Sequence, residues 1–126
     1  MSKKIQHTGG ISPSLPYSPG IEYGDILFVA GQVGDAEDGS VPEDIGAQTE
    51  NAILNAKRII DSAGYSLDNV LQARVFLAKK EDFAGMNAAY RKYFGGEHNI
   101  APTRYAVIAP PVDDRYLVEI AFIVGK

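Results

Sequence analysis

Two nearly uncharged stretches stand out near the end of the chain. One is Ala101-Pro102-Thr103-Arg104-Tyr105-Ala106-Val107-Ile108-Ala109, and the other is Tyr116-Leu117-Val118-Glu119-Ile120-Ala121-Phe122-Ile123-Val124. Their β-branched and aromatic content predicts two strands, and Pro110-Pro111-Val112-Asp113-Asp114 between them is a turn signal. Upstream, residues 3–7 suggest a short edge strand. Residues 8–25, rich in Gly, Pro and Ser, suggest a loop over the surface. Residues 25–33, with Ile26-Leu27-Phe28-Val29-Ala30, are continuous enough for a strand covered on both faces. Residues 35–41 are a polar loop. Over 42–63 the positions Ile45, Thr49, Ala52, Ile53, Ala56, Ile59, Ile60 and Ala63 recur at three and four, which predicts an amphipathic helix. Pro42 suits its first turn and Gly64 its end.

Residues 69–78 then alternate, with Leu71, Ala73, Val75 and Leu77 on one face and Gln72 and Arg74 on the other. A second helix is predicted over 81–94. Its stripe is Phe83, Met86, Asn87, Tyr90, Tyr93 and Phe94, with Tyr90 and Phe94 read as packing and Gly95-Gly96 as the stop. The order β-β-α-β-α-β-β predicts an α+β sandwich: a mixed sheet with both helices on one face. The other face of so small a chain is too apolar to stay in water, and self-association is the simplest cover.

Arg104 and Glu119 are the only charges in their strands, and lone charges on apolar strands are costly to bury. If Ala109 and Tyr116 close a hairpin, Arg104 faces Ala121 and Glu119 lies one step diagonal on the same face, with Ala106, Leu117 and Ile123. A one-residue slip would separate them. Such a pair either serves a site, holding a small carboxylate beside an activated water, or neutralises itself.

Composition narrows the chemistry. The 126 residues fit one domain over 1–126, with 45% hydrophobic residues and no run long enough to cross a bilayer. No Cys is present, which removes thiolate chemistry, and no apolar leader follows Met-Ser-Lys-Lys, so a cytoplasmic location is expected. The net charge of −4 and the lack of a basic run argue against nucleic-acid binding. His7 and His98 lack ligand partners at metal spacing, and neither a metal nor a cofactor is expected. Asp113-Asp114-Arg115 reads as a solvated turn.

Several motifs in order resemble one family. They are Pro16-Tyr17-Ser18 followed by Ala30-Gly31-Gln32, then Met86-Asn87-Ala88-Ala89-Tyr90 through Phe94, then Ala101-Pro102-Thr103-Arg104 and Leu117-Val118-Glu119-Ile120. Together they resemble the reactive intermediate deaminase family (Rid, or YjgF-type), often labelled endoribonuclease L-PSP. The resemblance implies a chorismate-mutase-like fold, a homotrimer with clefts between subunits, and hydrolysis of 2-imino or enamine acids to 2-keto acids and ammonia without a cofactor. It assigns Arg104 to the substrate carboxylate, Glu119 to the attacking water, Tyr17 to an aromatic wall, Gly31 to a backbone contact and Asn87 to a polar interface contact. Many members carry Cys where this chain has Ala106, which leaves only its backbone N–H for the ligand. Pro19 replaces a common glutamine and Ala30 a common serine. Packing roles stand beside these readings for Tyr17, Gly31 and Asn87. A keto-acid-binding protein without turnover is the alternative function, and an RNase is the weakest.

Overall fold

The computed structural model describes residues 3–97 and 99–126; His98 lies outside the described residues. Six strands form one mixed sheet: β1 (Ile5–His7), β2 (Gly20–Tyr23), β3 (Ile26–Val33), β4 (Val70–Leu77), β5 (Thr103–Ile108) and β6 (Val118–Gly125). Their order across the sheet is β1-β2-β3-β6-β4-β5. Only β4 and β5 run parallel. Two helices, α1 (Ile45–Ser62) and α2 (Phe83–Tyr90), cover one face. The predicted α+β sandwich is therefore the fold.

The long helix forms as its stripe predicts, but it starts at Ile45 rather than at Pro42. Asp44 is the N-cap, its carboxylate accepting from the Ala47 N–H at 2.8 Å. Past its end Gly64 takes φ +85°, a left-handed conformation that favours glycine. Ala52, Ile53, Ala56, Ile59 and Ile60 are fully buried against Leu27, Val29, Ile120, Phe122 and Val124 of the sheet. The second helix is shorter than predicted: a 3-10 turn at Lys80–Asp82 precedes it and turns follow Tyr90. Met86, Tyr90 and Phe94 still reach the core, with Phe94 5.8 Å from the Phe122 ring.

Three expectations are corrected. Residues 8–25 are not all loop, because Gly20–Tyr23 is a strand paired to β3 across a tight turn with Gly24 at φ +62°. Leu71 does not share the face of Ala73, Val75 and Leu77; a register shift between Val70 and Gln72 leaves it half exposed. Most consequentially, the two C-terminal strands are not a hairpin. β6 lies between β3 and β4, and β5 lies beyond β4 at the edge. Burial explains the exchange. Val118, Ile120, Phe122 and Val124 are buried, so β6 gains most from a central place with partners on both sides, whereas Tyr105, Val107 and Ile108 of β5 are about half exposed. The parallel β4–β5 pair needs a long crossover, which α2 provides.

The face away from the helices is apolar and open. Alternation and register place Phe28, Ile123, Ala121, Phe76, Tyr105 and Val107 on it. Phe28, Tyr105 and Val107 are 47%, 48% and 42% exposed, large values for apolar residues on middle and edge strands.

Candidate functional site

Arg104 and Glu119 do not share a face. Arg104 pairs with Ala73, which is buried on the helix-covered side. Glu119 pairs with Val33 and Phe76 on the open side. The hairpin register that would have joined them does not exist, and β4 separates their strands. Of their expected companions, Ala106 lies with Arg104, Ala121 and Ile123 lie with Glu119, and Leu117 precedes β6. No ion pair joins the two among the described residues, so neutralisation within one protomer is also removed as an explanation.

The arginine is held in a definite pose. Arg104 Nη1 donates to Asn87 Oδ1 at 2.7 Å, and its guanidinium carbon lies 4.9 Å from the Tyr90 ring centre and 5.9 Å from that of Phe83. Asn87 therefore interrupts the apolar stripe of α2 in order to orient Arg104. A cavity of about 260 Å³ opens here, with Asn87, Tyr90, Arg91, Phe94 and Arg104 in its wall. Burial raises the Tyr90 hydroxyl to about 12, with Arg104 pulling the other way. Among the described residues this hydroxyl has no hydrogen-bond partner.

The glutamate belongs to a second group. A Cβ added to Gly31 would collide with the Glu119 carboxylate, with Cδ 2.8 Å and Cγ 3.0 Å away. Gly31 is required here for close approach rather than for an unusual φ. Tyr17, Pro19, Gly31 and Val33 line a cavity of about 290 Å³. Tyr17 is half exposed. The two departures lie together, since the Ala30 N–H donates to the Pro19 carbonyl at 2.8 Å.

Sequence reasoning missed the polar anchors of this region. Asn55 of α1 donates to the Val33 and Asp35 carbonyls at 2.9 and 3.0 Å and, with Arg58, lines the Tyr17 cavity. Gln48, fully buried, donates to the Pro42 and Arg115 carbonyls at 2.7 and 3.0 Å and accepts from the Leu117 N–H at 2.8 Å. It sets the entry to β6. The available signal was a polar residue on a buried helix stripe, which must find backbone partners. His7 lies 3.0 Å from Glu22, which also accepts from the Tyr65 hydroxyl at 2.7 Å. Asp113 and Arg115 pair with each other in the turn before β6.

The family model for endoribonuclease L-PSP matches residues 8–125. The chain belongs to this family, the reactive intermediate deaminase (YjgF-type) family. Over 116 residues, 90% of each chain, it is 40% identical to a RutC family protein of Pyrococcus horikoshii. It is 34% identical over 109 residues to a 2-iminobutanoate/2-iminopropanoate deaminase of Salmonella typhimurium, covering 85% of this chain and 84% of the relative. Among solved structures, the YjgF gene product of Escherichia coli superposes with a TM-score of 0.88 at 28% identity, covering 99% of both chains. Escherichia coli TdcF with bound serine gives 0.87 at 28% identity, covering 98% of this chain and 99% of that one. Among the described residues, no helix of this chain is long and apolar enough to cross a membrane.

Proposed function

We propose that this protein hydrolyses small 2-imino acids to 2-keto acids and ammonium at a site completed between protomers of a homotrimer. The observation that carries this reading is the placement of Arg104 and Glu119 on opposite faces of one sheet. Each stands in its own incomplete group, and the face carrying Glu119 is apolar and open. A second copy that lays its β5 edge over that face would bring its Arg104, Asn87 and Ala106 backbone toward Glu119, Gly31 and Tyr17. The named relative from Salmonella typhimurium supports the chemistry.

The reaction asks little of the protein. A protonated imine is already electrophilic. Arg104, with one edge of its guanidinium fixed by Asn87, offers its remaining N–H donors to the substrate carboxylate as a planar fork. Glu119 orients a water and takes its proton as the oxygen adds to the imine carbon. The proton then passes to the amine, the C–N bond breaks, and the carbinolamine hydroxyl gives its proton through Glu119 to the departing ammonia as its oxygen becomes the keto oxygen. The products are the 2-keto acid and ammonium, and atoms and charge balance. No thiol takes part, since Ala106 occupies that position.

The test couples threonine dehydratase to the protein with semicarbazide present. Faster keto-acid release and less trapped imine, at protein concentrations far below the imine, support turnover. Tight keto-acid binding with an unchanged release rate would instead show a binding protein.

A further inference from the structure

The cavity beside Arg104 contains a second cation. Arg91, at the C-terminal end of α2, lines the same space of about 260 Å³ as Arg104, Asn87 and Tyr90. Among the described residues no acidic side chain lines it. Arg91 has no ion-pair partner among the described residues, while Lys92 beside it pairs with Glu50 at 3.2 Å. Asn87 Oδ1 is already engaged by Arg104. The wall of this cavity thus carries two guanidinium side chains with no acidic counter-charge among the described residues.

A monocarboxylic 2-imino acid needs one guanidinium. We infer that the site takes dianionic substrates, 2-imino dicarboxylates, with the carboxylate next to the imine on Arg104 and the side-chain carboxylate on Arg91. This rests on the reading above that Arg104 holds the substrate carboxylate. The preferred imines are then those formed by oxidising acidic amino acids. For iminosuccinate, water adds to the imine carbon, the C–N bond breaks, and oxaloacetate and ammonium leave. The step needs no oxidant or reductant. Arg91 is exposed, so its contribution is that of a solvent-screened cation and weakens with salt.

The experiment measures binding and turnover separately. Calorimetry at fixed low salt compares 2-oxoglutarate with pyruvate on the wild-type protein and on Arg91→Gln. Wild type is expected to bind 2-oxoglutarate about fivefold more tightly, as one exposed charge pair provides. Arg91→Gln is expected to remove that preference and shift pyruvate affinity by less than about twofold. Equal wild-type affinity for the two acids would overturn the inference, as would a preference that survives Arg91→Gln. A parallel assay generates iminosuccinate with L-aspartate oxidase. A dicarboxylate preference that Arg91→Gln abolishes supports this site even if no imine turns over, in which case only the hydrolase reading falls.

Discussion

Gly31→Ala perturbs the candidate base without touching its charge. The added methyl would overlap the carboxylate of Glu119, with Cδ at 2.8 Å and Cγ at 3.0 Å. The atoms in the way belong to a flexible side chain rather than to backbone, so Glu119 is expected to rotate aside and the strand to stay in place. Overpacking typically costs about 1–3 kcal/mol, and a side chain that can swing away places this case near 1 kcal/mol. For a chain of this size that is a fall in Tm of roughly 3–6 °C. Catalysis should suffer far more, because a misplacement of about 1 Å in a reacting group can cost roughly a hundredfold. Thermal melting by circular dichroism reads the first effect, and the semicarbazide-coupled imine assay reads the second. Adding Gly31→Ala to Glu119→Ala should recover most of the stability cost, giving a coupling of about 1 kcal/mol between the two positions. A Gly31→Ala protein with undiminished kcat would refute the reasoning, because Glu119 would then be free to move without consequence.

Further outcomes follow from the same geometry. Arg104→Lys keeps the charge but loses the planar fork and the hold of Asn87, so pyruvate affinity and turnover should both fall by about tenfold or more while Tm changes little. Gln48→Ala strips partners from the partly buried Leu117 N–H and from two carbonyls, and denaturant unfolding should show a loss of about 2–4 kcal/mol. Phe28→Asp puts a charge on the open face and should shift the light-scattering mass toward the monomer. Tyr65→Phe tests a pH effect. The Tyr65 hydroxyl, and then His7, hold the Glu22 carboxyl below its ordinary value of 4.5. A depressed carboxylate contributes stability that is fully present above its unfolded pKa and is lost as pH falls through its folded one. The stability gap between wild type and Tyr65→Phe should therefore narrow as pH falls below 4.5, measured by urea unfolding across that range.

The helices were legible because their signal is local. The three-and-four spacing from Ile45 to Ile60 needs no knowledge of partners, and a stripe that wide must face a core. The strands were legible as strands for the same reason, but their neighbours were not. Turn residues at Pro110-Pro111 suit a hairpin and equally suit a chain crossing to another place in the sheet; the competition between β5 and β6 for the centre is settled by burial on both faces. The misplaced register moved Arg104 and Glu119 onto one face, so their identities were readable while their geometry was not. Gly20–Tyr23 was hidden among loop-forming residues, since four residues carry little alternation. The bulge at Val70–Gln72 reversed Leu71 because a period of two cannot show an inserted residue. Asn87 could be seen as an interruption in an apolar stripe, and the structure supplies its role, the bond to Arg104.

The central claim is that Arg104 of one protomer and Glu119 of another make one site. Mixing two inactive variants tests it most directly. Arg104→Met and Glu119→Gln are unfolded together, refolded and assayed for imine hydrolysis against each variant refolded alone. In randomly mixed trimers about one site in four pairs an intact Arg104 with an intact Glu119 from the neighbouring protomer, so activity should recover to about a quarter of wild type. A mixture no more active than its parents, with mixed trimers verified by mass spectrometry, would contradict a site shared between protomers.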